Sequence, residues 1–257
     1  MTILPPPHAV LLVLLLAAAP AALSAQPKLI EVHQRIATDP ASTPQLALTL
    51  DACSGQFDAP LLEHLIAQRI PATLFVTRRW LRRNPQAIAL IKQHLDLFAI
   101  ENHGANHVPA LIGAERSVYG LKVHADLPQL EHEVHAGAHA IRQAFGTSPR
   151  WYRGATAIYD RTSIAAIHRL GYEVAGFSLN ADHGARSGQA AIVRRLQAAQ
   201  AGDVIIAHMN HPESGTAAGL IGSLSALRAR GFVFVRLDRV QLREIAPPAP
   251  HRAARAP

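Results

Sequence analysis

Two short stretches of the chain carry histidines spaced to share an ion. "HGANH" runs from His103 to His107, and "HAGAH" runs from His135 to His139. Four residues on a helix or across a tight turn bring two ring nitrogens to one side, close enough for one metal. Their surroundings separate the two pairs. "HAGAH" lies inside the helical stretch "LPQLEHEVHAGAHAIRQAF" and shares a surface with Glu131 and Glu133, so it reads as a solvated helix face. "HGANH" follows the short strand "LFAI" (97–100), with Gly104 loosening the turn. Metal binding is therefore expected at His103 and His107 and not at His135 and His139.

Other polar residues also stand where strands end. Asp51 follows "LALTL" (46–50), and Arg153 closes "RWY" (150–152). Asn180 and Asp182 follow "YEVAGFSL" (172–179), and His208 follows "DVIIA" (203–207). In parallel α/β folds the functional face lies at the carboxyl ends of the strands, so these scattered residues are expected to converge on one mouth.

The elements that must position them alternate. Further strands are expected at 72–76 and 232–237, making seven. Helices are expected over 58–69 with Asp58 as N-cap, over 84–94 with Asn84 as N-cap, within 115–145, and over 161–171, 189–202 and 219–231. Strands separated by helices argue a parallel sheet, and seven of them argue closure into an α/β barrel, with an open doubly wound sheet as the alternative.

The chain has 257 residues, of which 49% are hydrophobic, enough for one barrel domain placed at 45–240. Before it, "HAVLLVLLLAAAPAALSA" ends in small residues, and no charged side chain precedes Lys28. Residues 1–25 are therefore read as a secretory signal and 26–44 as a lead-in, which places the mature protein in the periplasm or outside the cell. The apolar run before Pro20 is shorter than the roughly 20 residues a spanning helix needs, and no later segment qualifies, so no stable membrane span is expected after signal cleavage. Residues 246–257, "APPAPHRAARAP", are read as a disordered tail. The net charge is +7, but Lys and Arg are scattered singly or in pairs such as Arg82–Arg83, which argues against a nucleic-acid partner. The single cysteine, Cys53, excludes an internal disulfide.

The motifs resemble those of the polysaccharide deacetylases of carbohydrate esterase family 4, the nodulation-protein-B homology domain, over about residues 45–238. "TLDAC" (49–53) is similar to that family's first motif, usually Thr-Phe-Asp-Asp-Gly. "HGANH" is similar to the second, His-Ser/Thr-x-x-His. "YRGAT" (152–156) and "FSLNADHG" (177–184) occupy the third and fourth, and "IIAH" (205–208) is similar to the fifth. The resemblance implies a distorted (β/α)7 barrel and metal-assisted removal of N-acetyl groups from an amino-sugar polysaccharide such as peptidoglycan or exopolysaccharide. It implies zinc or another divalent metal held by His103, His107 and Asp51. Asp51 would take a proton from water, Arg153 would hold Asp51 ionised, and His208 across the mouth would protonate the leaving amine. Asp182, His211 and Tyr152 are candidate substrate contacts. Asp182 or His183 could instead stand in for the family's acid that tunes the catalytic histidine. Trp80 and Trp151 could stack on sugars, with packing as the default.

The departures bear on the metal. The family's second acidic residue, a metal ligand, is Ala52 here. Three repairs are open: ligation by Asp51 in its place, a water filling the gap, or ligation by Cys53, which strand alternation puts on the side of Asp51. A lone Cys at a strand end is more often simple packing. The gap at Ala52 also supports an alternative reading, a pseudo-enzyme that binds glycan without turnover.

Overall fold

The computed structural model describes residues 28–37 and 43–247. The expected signal segment and all but the first residues of the expected tail lie outside them. Eight parallel strands form the principal sheet: β1 Gln45–Ala52, β2 Ala72–Val76, β3 Phe98–Asn102, β4 Trp151–Tyr152, β5 Glu173–Val174, β6 Leu179–Asn180, β7 Val204–His208 and β8 Val233–Val235. Their order is β5-β4-β3-β2-β1-β7-β6. β8 pairs with residues 45–47 of β1 and β2 with residues 49–52, so two strands share the length of β1 and the barrel is distorted. Helices α1 Ala59–Ala67, α2 Arg78–Arg83, α3 Pro85–Lys92, α4 Leu127–Phe145, α5 Arg161–Arg169, α6 Gln189–Gln197 and α7 Thr216–Ala229 connect them. The seven strands expected from the sequence become eight because 172–179 divides into β5 and β6, which lie at opposite edges of the sheet.

The gap between those edges is bridged by backbone. Residues 175–178 cross it, with Ala175 N–H donating to Tyr152 and Ser178 N–H to Val204. Val32 and Gln34 exchange backbone hydrogen bonds with Phe177, and the Gln34 side chain accepts from Gly176 N–H at 2.8 Å. A Cβ on Gly176 would stand 2.3 Å from the Val32 carbonyl oxygen, so only glycine permits this approach. Residues 30–36, expected as a lead-in, thus help close the barrel.

Period-two alternation sorts the side chains of β1. Leu46, Leu48, Leu50 and Ala52 join the large apolar cluster under the helices, with Leu61, Leu62 and Leu65 of α1, Trp80 of α2 and Leu220 of α7. Ala47 faces the barrel interior with Phe75, Trp151, Val204 and Ile206. Thr49, Asp51 and Cys53 share its parity and rise toward the mouth.

Local signals set the helix ends. Asp58 caps α1 by accepting from Leu61 N–H at 3.1 Å. Asp126 caps α4 in the same way through Gln129 N–H, and Gly146 ends it in the left-handed region. Asn84 does not cap α3 with its side chain. Its amide instead ties together Phe57 N–H, Gly55 and Trp80, bracing the turn that follows β1. That turn and the unexpected short helix α2 are joined by Thr77, which caps α2 and donates to the carbonyls of Ala52 and Cys53.

Candidate active site

The carboxyl ends of the strands surround a cleft of about 470 Å³, within the range of small-ligand sites. Asp51, Cys53, His103, His107, His208 and His211 line it, as expected for one mouth. Asp51 and His208 are register partners on the adjacent strands β1 and β7, so they stand side by side and not across the mouth.

Asp51 is held by a fully buried Arg153. Its Nη1 donates to Asp51 Oδ1 at 2.8 Å and to Thr49 Oγ1 at 2.9 Å, and its other nitrogens donate to the carbonyls of Ala175 and Gly176. The guanidinium also lies over the Phe75 ring at 4.2 Å. Burial alone would raise the Asp51 carboxyl. The charges of Arg153, His103 and His208 outweigh it and hold the group below the ordinary carboxylate range. The charges thus favour the carboxylate form of Asp51 at the floor of the cleft.

His208 is the opposite case. Its Nδ1 meets Asp182 Oδ1 at 3.0 Å, and its backbone N–H donates to Asp182 Oδ2 at 2.8 Å. Thr216 Oγ1 donates to the same carboxylate at 2.9 Å. Burial would lower the imidazole, but the hydrogen bonds with Asp182 and Cys53 push it well above the ordinary histidine value. Asp182 is wholly buried and does not line the cleft, so it is no substrate contact. It holds His208, the role left open between Asp182 and His183.

"HGANH" supplies the metal-type donors. His103 Nδ1 meets the Arg153 carbonyl at 2.6 Å, which turns Nε2 toward the cleft. That Nε2 lies 3.5 Å from Cys53 Sγ and 3.9 Å from Asp51 Oδ2. The Cys53, His103 and His107 donor atoms lie within 4.8 Å of one another. Tetrahedral zinc with such ligands sets neighbouring donors about 3.4–3.7 Å apart, which the Cys53–His103 separation matches, and the chemistry of a thiol and two imidazoles suits a divalent ion. Burial would raise the Cys53 thiol, but hydrogen bonds with His103 and His107 bring it well below its ordinary value, toward the thiolate that metals bind. For His103, burial lowers and Asp51 and Cys53 raise the imidazole, with a net upward shift. The negative field that favours a proton there also favours a cation. Simple packing therefore does not describe Cys53. Ala52 packs into the cluster under the helices, so the family's missing carboxylate is not a hole beside the histidines.

His135 and His139 are exposed on α4, as expected. The expectation fails for Glu133, which is buried and faces the opposite way. Its carboxylate accepts from Asn106 N–H at 2.6 Å, Asn106 Nδ2 at 3.2 Å and Val108 N–H at 3.3 Å, gripping the "HGANH" loop. Asn102 completes the grip, accepting from Gly104 N–H and donating to the Val134 carbonyl. The sequence signal was present: Glu133 adjoins the buried stripe Leu130, Val134, Ile141 and Phe145.

Tyr152 is corrected as a substrate contact. It is fully buried with Leu130, Val134 and Tyr159, because Trp151 and Arg153 take the inward parity of that strand. Trp80 and Trp151 are likewise core residues. His211 lines the cleft, exposed and paired with Glu213 at 2.9 Å.

The strand order, the curled closure and the polar residues at the strand ends define a carbohydrate-esterase-family-4 type of (β/α)7 barrel. The family model described as polysaccharide deacetylase matches residues 38–175, more than half of the chain, and the chain belongs to that family. Among solved structures, a "T48 deacetylase with substrate" is similar at 24% identity and TM-score 0.63, over 79% of this chain and 93% of that one. PdaA of Bacillus subtilis, a family 4 carbohydrate esterase, is similar at 19% identity and TM-score 0.62, over 77% and 82%. BA3943 of Bacillus anthracis, a CE4 family pseudoenzyme, is similar at 15% identity and TM-score 0.61, over 79% and 66%. No curated protein matches the chain.

Proposed function

We propose that this protein is an exported, metal-dependent deacetylase that hydrolyses N-acetyl groups of an amino-sugar polysaccharide, peptidoglycan or exopolysaccharide. The observation that carries this reading is the placing of Asp51, held by Arg153, beside His208, held by Asp182, on adjacent strands, next to the donor group of Cys53, His103 and His107.

An amide carbonyl is a poor electrophile, and water is a poor nucleophile at neutral pH. A divalent ion, zinc by the chemistry of two imidazoles and a thiol, would be held by His103, His107 and Cys53 and would supply Lewis acidity for both problems. Asp51 takes the proton of the attacking water. Arg153 keeps Asp51 ionised and fixes the carboxylate. His208 gives its proton to the departing amine, while Asp182 orients the ring and supports its charge. The leader read in the sequence supports export. Among the described residues, no helix is long and apolar enough to cross a membrane.

A glycan-binding pseudo-enzyme is the second reading, favoured by Ala52. It has no use for the Asp51–Arg153 and His208–Asp182 pairs. Acetate release from acetylated glycans decides between them. Asp51→Asn should nearly abolish release, and His208→Ala should slow it by about 10²–10⁴-fold with the bound metal retained. A parent protein that binds glycan and releases no acetate would establish the second reading.

A further inference from the structure

Between Glu63 and Asp96 the chain carries Arg69, Arg78, Arg79, Arg82, Arg83 and Lys92 and no carboxylate. Four of these stand on α2, whose sequence is Arg-Arg-Trp-Leu-Arg-Arg. Trp80 and Leu81 are buried, and Arg79, Arg82 and Arg83 are exposed. Arg78 and Arg79 reach the loop of His103 and His107, donating to Asn106 Oδ1 at 3.1 Å and to the Asn106 carbonyl at 3.3 Å. Arg82 and Arg83 have no side-chain hydrogen bond or ion pair among the described residues. Arg78–Arg82 and Arg79–Arg83 are like-charge pairs four residues apart, which destabilise a helix. Folding alone gives no reason for so much unpaired charge on one short helix.

A second exposed feature stands nearby. Asn106 and His124 line one groove of about 430 Å³ with His132 of α4. Just before His124 the chain forms a hairpin of Ser117–Val118 and Leu121–Lys122. The groove is therefore flanked by α2 on one side and by the hairpin on the other. The base of the hairpin is firm, since Val118 packs against Leu111, Val123 and Ile158 and Arg116 donates to the Ile112 carbonyl at 2.9 Å. Its tip is apolar. Tyr119 and Leu121 are 74% and 37% exposed, two of the four exposed large apolar side chains among the described residues. Tyr119 holds a φ of 49°, where a bulky side chain is strained. Lys122 beside them is exposed and has no side-chain partner among the described residues.

We propose that α2 and this hairpin form a docking face for an anionic lipid bilayer, with the arginines and Lys122 at the headgroup phosphates and Tyr119 and Leu121 in the interfacial layer. Charge complementarity selects an anionic partner. Residues 113–126 add only two exposed carboxylates, Glu115 and Asp126, against Lys122 and the four arginines of α2. The apolar tip selects a bilayer over a soluble acidic polymer, which has no apolar layer to receive it. The protein then lies on the membrane and does not span it. Tyr119 also lines the catalytic cleft, so docking holds the mouth beside the headgroups. The proposal goes beyond the deacetylase reading and does not depend on turnover.

The test is co-sedimentation of the chain freed of residues 1–25 with vesicles of phosphatidylcholine alone and of phosphatidylcholine with one third phosphatidylglycerol. Only the phosphatidylglycerol vesicles should bind it, and added salt should weaken the binding. Each cation near an anionic surface contributes about fivefold, so the triple variant Arg82→Gln, Arg83→Gln, Lys122→Gln should lose about 100-fold. Its melting temperature should equal or exceed that of the parent, because these side chains have no partners to lose. Leu121→Ser should weaken binding by about three- to tenfold. Equal binding to the two kinds of vesicle, or full binding by either variant, would overturn the proposal. So would capture of soluble polygalacturonate through the same three cations by a protein that leaves both kinds of vesicle unbound.

Discussion

The glycine at the centre of "HAGAH" offers a test of how the metal-binding loop is held. Gly137 lies mid-helix in α4, where Ala is intrinsically better than Gly by about 1 kcal/mol. Helix propensity alone thus predicts that Gly137→Ala stabilises. The packing predicts the reverse. A Cβ on Gly137 would stand 2.3 Å from Asn102 Oδ1 and 2.7 and 2.8 Å from the carbonyl carbon and oxygen of Gly104. Two of these atoms are backbone, and Asn102 Oδ1 is committed to Gly104 N–H. Ordinary contact begins near 3.4 Å, so α4 and the "HGANH" loop must separate by about 0.7–1 Å. Overpacking of this kind costs about 1–3 kcal/mol, which cancels or exceeds the propensity gain. The displaced loop carries both His103 and His107, so zinc affinity should fall as well. Gly222 is the control: it is exposed mid-helix in α7, and its Cβ would meet nothing within 4 Å. Gly222→Ala should stabilise by about 0.5–1 kcal/mol. Urea unfolding of the two metal-free variants, with zinc competition against a chelator, compares them. If Gly137→Ala stabilises as much as Gly222→Ala and binds zinc like the parent, the close approach of α4 to the loop is not what positions the histidines.

Three further outcomes are expected. Cys53→Ala should weaken metal binding and remove the thiolate charge-transfer band of the cobalt-substituted protein, whereas Ala52→Asp should lower the melting temperature by burying a carboxylate under the helices without tightening the metal; tighter binding by Ala52→Asp would refute the placement of Ala52. Glu101, buried and accepting from Arg150 and Trp151 N–H through one oxygen, is raised by burial from 4.5 to about 7. The folded state holds its proton more tightly, so its contribution is full below pH ~4.5 and is lost as pH rises through ~7, a swing of about 3 kcal/mol; Glu101→Gln keeps the accepting oxygen, and denaturant melts across this range should show that loss abolished. Asp182→Asn should slow acetate release by about 10²–10⁴-fold with metal retained and shift the alkaline limb of the pH profile downward, since His208 loses the carboxylate that offsets its burial; an unmoved limb would show that His208 is not the acid.

Much of the barrel was legible in the sequence because its signals are local. Strand 72–76 and the Asp58 cap of α1 are set by β-rich runs and by an N-cap followed by proline, both read within a few residues. The polar residue closing each strand needed only the rule that parallel strands present their carboxyl ends to one face. The alternation of Thr49, Asp51 and Cys53 onto one side is also local, since the pleat has period two. What the sequence could not decide was which residues meet across space. Cys53 had the right parity, but only the approach of β3 to β1 through β2 sets its sulfur 3.5 Å from His103. Asp51 and His208 were expected on opposite sides of the mouth. The strand order puts β7 directly beside β1 and makes them neighbours. Glu133 looked solvated because helix periodicity shows where a stripe lies but not how wide a neighbour covers it, and the covering loop arrives from about 30 residues earlier. Tyr152 was misjudged because a strand two residues long leaves its parity undefined until its partners are known, and Asp182 because the loop after Leu179–Asn180 is folded under His208 and Thr216 only in the packed barrel. Chain connectivity and pleat periodicity settle the elements and their polar ends. The contacts that tune the base, the acid and the donor group depend on strand order and barrel closure, which are properties of the packed whole.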